Sequence, residues 1–314
     1  MAAFAYKTSG HISERASEKL AHLNAFPALE TFQNPVTRGI ARRLVNEFYE
    51  RHLRSIDFDY RLNDVDINGV ACVHYETSAR PVEDMSIIYI HGGGFVTGSP
   101  RSLASVILPV SMLSRVDAIG IQYSLAPEAR FPTPLDEIDK VYRSILERKP
   151  GQKVFIVADS TGCALALGCV MRWRDIGVTA PAGIVLMSPM IDAKALSDTH
   201  ITHKDLDPYW QGENAKTRRR MFDFFAPGEA IDNPHLSPLY GNFDWAPPLL
   251  VQVGTREVCL GEAARLTEKA ALAGVEAQLR VFDGMFHLFQ MDWALDEAKR
   301  AHQQVANFIA AHRD

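Results

Sequence analysis

The chain has 314 residues, 47% hydrophobic and 23% charged, with a net charge of −5. Such values suit one large α/β domain with an elaboration, or two small domains, and give no reason to expect a nucleic-acid partner. Four cysteines without a CxxC pair argue against a disulfide scaffold, and no apolar run is long enough to span a bilayer. With no apolar leader at the N-terminus, the expectation is a cytoplasmic protein with reduced thiols and no membrane partner.

Residues 1–60 read as helical. Apolar residues recur at three- and four-residue spacing over Arg15 to Leu23 and Arg38 to Leu53, interrupted by Pro27 and Pro35. This segment precedes the first strand pattern and is expected to form a lid or a dimer-contacting arm. From Val65 to Tyr75, alternation with Asn68-Gly69 at the centre predicts a hairpin. Met85 to Ile90 is a near-continuous apolar run, as in a strand buried on both faces. It runs into His91-Gly92-Gly93-Gly94-Phe95.

Strand and helix then alternate. A helix is expected at Ser102 to Ser114, a strand at Ala118 to Gln122 and a helix at Pro134 to Glu147. The run Val154 to Ala158 reads as a strand, and Ala164 to Val170 as a buried helix. Between them lies Ala158-Asp159-Ser160-Thr161-Gly162-Cys163, where a sharp turn needs small neighbours around its central serine. A strand at Ala182 to Met187 follows. Residues from 190 to about 245 break the rhythm with prolines, aromatics and one short helix, Ala215 to Phe225, and read as an insertion over the sheet. Its Lys216, Arg218, Arg219 and Arg220 suggest a solvated helix face. Trp210, Phe222, Phe224, Phe225 and Trp245 suggest an apolar pocket. The alternation resumes with Leu249 to Val253, Gly261 to Ala273, Ala277 to Phe282 and a last helix, Trp293 to Ala311. Repeated strand–helix units predict a mostly parallel sheet with helices on both faces.

A serine hydroxyl needs a base to become a nucleophile, and the base needs an orienting carboxylate. On this kind of fold, acid and then histidine follow the serine in loops after later strands. Glu257 and His287 meet that order. Asp283 is a rival acid, but it occupies the loop that should carry the histidine. Glu262 reads as a first-turn carboxylate favoured by the helix dipole. His302 and His312 read as solvated, His74 precedes the nucleophile, and His200 with His203 lack the further ligands a metal site needs. The glycines after His91 suit a loop whose backbone N–H groups approach an oxyanion.

Together His91-Gly92-Gly93-Gly94, Tyr123-Ser124-Leu125-Ala126-Pro127-Glu128 and Asp159-Ser160-Thr161-Gly162 resemble the hormone-sensitive-lipase-like (family IV) bacterial esterases. The resemblance continues through Ser188-Pro189-Met190-Ile191-Asp192, Ser237-Pro238-Leu239-Tyr240, Gly254-Thr255-Arg256-Glu257-Val258 and Gly284-Met285-Phe286-His287, so it covers roughly residues 65 to 314. It implies an α/β-hydrolase fold, with an N-terminal helical cap at 1–60 and a catalytic domain at 61–314 that carries a cap insertion at about 190–245. It also implies a serine carboxylesterase acting on short-chain esters or lactones, without cofactor or metal. By resemblance Ser160 is the nucleophile, His287 the base and Glu257 the acid. The N–H groups of Gly93, Gly94 and Thr161 form the oxyanion hole, His91 and Gly92 shape its loop, and Tyr123 and Glu128 are scaffold. The family often dimerises through C-terminal elements, which leaves a homodimer open.

Three departures stand out. The family's Gly-Asp-Ser-Ala-Gly-Gly becomes Ala158-Asp159-Ser160-Thr161-Gly162-Cys163, which sets a β-branched Thr161 beside the nucleophile. Cys163 replaces a glycine, and Ser124 replaces the usual arginine. These keep two alternatives in view: a non-catalytic ligand-binding protein, and a specialised pathway hydrolase or acyltransferase on the same scaffold.

Overall fold

A computed structural model of the chain describes residues 11–23, 25–210 and 215–313. Three helices come first, α1 (Glu14–Leu20), α2 (Leu29–Gln33) and α3 (Pro35–Glu50), then a 3₁₀ turn at Arg51–Ser55. The Ser13 hydroxyl caps α1 by accepting from Ala16 N–H. Asn34 caps α3 in the same way, with Pro35 supplying a first-turn residue that has no N–H to satisfy. The helix α2, between Pro27 and Pro35, was not evident in the apolar spacing, and α1 stops three residues earlier than that spacing suggests.

The hairpin forms as expected from β1 (Tyr60–Ile67) and β2 (Val70–Thr77), with Asn68 and Gly69 both at positive φ. Then follow β3 (Met85–Ile90), α4 (Ala104–Ser114), β4 (Ala118–Ile121), α5 (Thr133–Arg148), β5 (Lys153–Asp159), α6 (Gly162–Asp175) and β6 (Gly183–Met187). The segment after β6 carries α7 (Thr199–Thr202) and α8 (Ala215–Phe225). The chain closes with β7 (Leu249–Gly254), α9 (Leu260–Leu272), β8 (Ala277–Phe282) and α10 (Asp296–Ala311).

The eight strands lie in the order β1-β2-β4-β3-β5-β6-β7-β8. β1 and β2 are antiparallel to each other, and β2 is antiparallel to β4; every later pairing is parallel. Helices α4 and α10 pack together on one face, and α5, α6 and α9 cover the other. Strands with both faces covered need apolar residues throughout, which is why β3, β5, β6 and β7 lack alternation. On α5, Leu135, Ile138, Val141, Tyr142 and Ile145 form one buried stripe. Tyr142 stacks on Trp173 of α6, with ring centroids 3.8 Å apart.

Two details differ from the sequence expectation. The last helix starts at Asp296, not Trp293. Leu295 is extended at its cap, acidic Asp296 and Glu297 fill the first turn, and the Trp293 indole N–H is spent on Asp57. His302 is not solvated. It is fully buried where α10 meets α4, with Nε2 2.9 Å from the Gln290 carbonyl. Because the inner strands run parallel, the loops after β3, β5, β7 and β8 emerge at one edge, the place where open α/β sheets bind ligands.

Candidate active site

Ser160 follows β5 at a left-handed φ of 50°, a conformation costly for a side chain other than glycine. That turn places Ser160 on the wall of a cavity. A Cβ on Gly162 would strike the Ile90 and His91 carbonyls, so only glycine lets α6 start this close to β3. Asp159 is fully buried. Its Oδ1 accepts from the Tyr89 hydroxyl at 2.6 Å and its Oδ2 from Gly92 N–H at 3.1 Å, which fastens the glycine loop to the serine turn. Burial pushes the Asp159 carboxyl up to about 6, against the lowering effect of these two bonds.

His287 reaches the serine from the loop after β8. Its Nε2 lies 2.9 Å from Ser160 Oγ, and its Nδ1 lies 3.0 Å from Glu257 Oε2. Glu257 comes from the turn after β7 and is fully buried. Its Oε1 accepts from Gly254 N–H at 2.6 Å and from the Ser188 hydroxyl at 2.9 Å, so one oxygen is anchored and the other faces the imidazole. Ser188 Oγ in turn accepts from Leu288 N–H, tying the histidine loop to the same anchor. Burial alone would lower the His287 imidazole. The hydrogen bond and charge of Glu257, with the charges of Asp207 and Asp159, outweigh burial and hold it above its ordinary value.

Asp207 carried no signal in the sequence. It is fully buried; Oδ1 accepts from Tyr209 and Trp210 N–H, and Oδ2 from Val258 N–H at 3.0 Å. It therefore joins the segment after β6 to the residue next to Glu257. Burial pushes its carboxyl up to about 6. Trp210, whose N–H binds Asp207, packs edge-to-face with His287 at 5.7 Å between centroids.

The glycine loop sits beside Ser160. His91 Nδ1 lies 2.7 Å from the Gly92 carbonyl, and its ring stacks on Tyr123 at 4.3 Å. The Tyr123 hydroxyl donates to the His91 carbonyl. Burial takes His91 down to about 4, so it is neutral and shapes the loop. A Cβ on Gly93 would collide with the Thr97 carbonyl. The N–H groups of Gly93 and Thr161 have no hydrogen-bond partner among the described residues. Gly94 N–H differs from the expectation: it donates to Thr161 Oγ1 at 3.0 Å. Glu128 binds Arg42 and Arg38 of α3 at 2.7 and 3.2 Å, a link between the helical arm and the sheet domain.

Above Ser160 and His287 opens a cavity of about 250 Å³. Phe26, Phe32 and Tyr49 from the N-terminal arm line it, with Tyr209, Trp210 and Met221 from the segment after β6. Of the five aromatics expected to form an apolar pocket, only Trp210 does so. Phe222 and Phe225 pack on Phe95, Phe224 lies under Arg130, and Trp245 stacks on Phe243. The basic cluster is also not a solvated face throughout. Arg218 is fully buried, 2.6 Å from Glu262 Oε1, while Arg220 pairs with Glu30 at the cavity wall. Glu262 lies in the first turn of α9, yet it does more than favour a dipole. It also binds His200 Nε2 at 2.9 Å and accepts from Ile191 and Asp192 N–H. Burial would raise its carboxyl, but the Arg218 charge and these bonds hold it below the ordinary value. Among the described residues, Glu257, Cys259 and His287 have ligand-type atoms close enough for a metal. Glu257 and His287 are engaged with each other, and the Arg218 guanidinium, 3.9 Å from Cys259 Sγ, opposes a cation there.

A family model described as the alpha/beta hydrolase fold matches residues 87–291. An esterase of Acinetobacter venetianus is 33% identical over 241 residues, 75% of this chain and 78% of that protein. An acetyl-hydrolase of Streptomyces hygroscopicus is 29% identical over 71% of this chain and 75% of its own length. Among solved structures, an esterase from the bacterial hormone-sensitive lipase family superposes with a TM-score of 0.81 at 30% identity, covering 96% of each chain. The chain belongs to the α/β-hydrolase fold family, in its hormone-sensitive-lipase-like branch, and is a carboxylic ester hydrolase.

Proposed function

We propose that the protein hydrolyses short-chain carboxylic esters or lactones through a Ser160–His287–Glu257 triad and an acyl-enzyme intermediate. The observation that carries this reading is the unbroken hydrogen-bonded chain from Ser160 Oγ through His287 to Glu257, at the floor of an apolar cavity. Ser160 Oγ attacks the ester carbonyl as His287 Nε2 takes its proton. Glu257 keeps the Nδ1 proton in place and stabilises the imidazolium. His287 then protonates the leaving alcohol, and water repeats the sequence on the acyl-enzyme. The N–H groups of Gly93 and Thr161 bind the developing oxyanion. The short-chain preference is supported by the size of the cavity and by the acetyl-hydrolase relative.

The division into a cap made from residues 1–60 and about 190–245 over a catalytic domain is part of the same proposal, because both segments contribute cavity walls. The test is hydrolysis of p-nitrophenyl acetate, butyrate and octanoate beside Ser160→Ala. The expected result is a loss on the order of 10⁴-fold or more in kcat for the variant, with the short esters turned over fastest. Equal turnover by the variant would remove Ser160 from the mechanism.

A further inference from the structure

The residue after the nucleophile is threonine where the resembled family has alanine, and its hydroxyl sits inside the loop cluster expected to hold the oxyanion. Thr161 is fully buried, at the start of α6. Its Oγ1 accepts the Gly94 N–H at 3.0 Å, so one of the three expected backbone donors is already engaged. The other two, Gly93 N–H and Thr161 N–H, have no hydrogen-bond partner among the described residues. A hydroxyl that accepts one hydrogen bond still has its own proton to donate. No acceptor for that proton lies among the described residues.

We propose that the Thr161 hydroxyl is itself an oxyanion donor, a catalytic group that replaces the direct contribution of Gly94 and is polarised by it. The inference rests on the proposed Ser160 mechanism. Three physical points support it. First, Oγ1 lies 3.0 Å from the Gly94 nitrogen, which places the hydroxyl at one of the backbone donors the hole is expected to use. Second, a donor that accepts a backbone N–H has its own O–H strengthened by cooperative polarisation. Third, stabilisation of a developing charge is greatest when donors are already in place and need no reorganisation. A fully buried, β-branched side chain at the first turn of a helix has few rotamers to move into, which keeps the hydroxyl there.

The test compares Thr161→Ser, Thr161→Ala and Thr161→Val, each with circular dichroism as a check on folding. The readouts are kcat and KM on p-nitrophenyl butyrate and the inhibition constant of an alkyl trifluoromethyl ketone, which forms a tetrahedral adduct. Serine keeps the hydroxyl, so kcat should stay within about threefold of wild type. Valine puts a methyl where Oγ1 was and blocks Gly94. Its kcat should fall by about 10²- to 10³-fold with KM little changed, and the ketone should weaken in parallel. Alanine removes the hydroxyl but frees Gly94 N–H, so it should lie between the two. A valine variant as fast as wild type would overturn the proposal and make Thr161 a mere plug. Equal losses in the serine and valine variants would also overturn it, since a retained hydroxyl would then rescue nothing. Labelling of Ser160 by a fluorophosphonate separates the two readings. If Ser160 labels and Ser160→Ala is dead, a normal Thr161→Val sinks this inference alone; if Ser160 neither labels nor matters, the mechanism beneath it fails.

Discussion

Two buried glutamate–histidine pairs lie within one stretch of this chain. Glu257 faces His287 at 3.0 Å, and five residues later Glu262 faces His200 at 2.9 Å. All four residues are buried. What separates the pairs is the third partner. The far nitrogen of His287 meets a serine hydroxyl at a cavity floor, while the far nitrogen of His200 meets no hydrogen-bond partner among the described residues. Glu262 carries a permanent cation, Arg218, and two backbone N–H groups besides its histidine. Glu257 has a backbone N–H and a serine hydroxyl, and its charge is left for the imidazole. A carboxylate beside a histidine is therefore not in itself a site. In the proposed mechanism it supports proton transfer when the histidine is its one cationic partner, and it clamps elements together when an arginine has already balanced it.

The largest effect that would break this comparison is on turnover. Glu257→Gln keeps the shape but removes the charge that stabilises the imidazolium, so kcat should fall by about 10³- to 10⁴-fold with an unchanged melting temperature. Glu262→Gln should leave kcat within a few-fold and lower the melting temperature instead. Steady-state kinetics and thermal melts on the same two samples check both, and a Glu262→Gln enzyme as slow as Glu257→Gln would erase the distinction. Arg218→Met should come next. It leaves Glu262 charged in a dry site at a cost of about 3–5 kcal/mol, or about 6–10 °C in melting temperature, with little change in turnover by the folded fraction. Adding Glu262→Leu would not restore stability fully, because the Ile191 and Asp192 N–H groups would then be orphaned.

The unequal legibility of the two pairs follows from how each is built. Ser160, Glu257 and His287 stand in loops directly after strands, so strand patterning and chain order reveal them without knowledge of side-chain packing. The parallel sheet was legible for the same reason: a strand covered on both faces writes a continuous apolar run, as in Met85–Ile90. Arg218, His200 and Glu262 come from α8, α7 and α9, and nothing in the spacing of three separate segments shows that they meet. Asp207 is likewise an ordinary loop acid until its three N–H partners are seen. The cavity walls fail for a further reason. Aromatic residues on α8 satisfy the helix period whether they face a ligand or Phe95, so composition could not separate Phe222 and Phe225 from Trp210. The Thr161–Gly94 bond depended on the direction of one hydroxyl, which a sequence does not encode legibly.

A smaller effect tests where the proton sits. His287 is held above the ordinary imidazole value, about 6.5, mainly by the hydrogen bond and charge of Glu257 prevailing over burial. The base must be neutral to accept the Ser160 proton, so kcat/KM should fall as pH drops through a limb displaced upward from that value. Removing a negative charge lowers the imidazole, so the limb should move to lower pH in Glu257→Gln and, less, in Asp207→Asn. A limb that stayed put in both would mean that neither carboxylate acts on His287 electrostatically.

The smallest expected effect again concerns helix α8, where two arginines two residues apart each make an ion pair. Arg218 is fully buried against Glu262, whereas Arg220 and its partner Glu30 have side chains 43% and 56% exposed. Water already solvates the exposed pair, and holding two long side chains in one geometry offsets most of the attraction. Glu30→Gln or Arg220→Gln should therefore move the melting temperature by about 1 °C or less. The cavity touches both residues, so their effect should show in the KM for longer acyl chains before it shows in stability. Kinetics with butyrate and octanoate esters at low and high salt check this. If 0.5 M salt changed the KM of the wild type but not of Arg220→Gln, the exposed pair would be the salt-sensitive part of the cavity wall; a melting shift as large as that of Arg218→Met would instead place both pairs in one class.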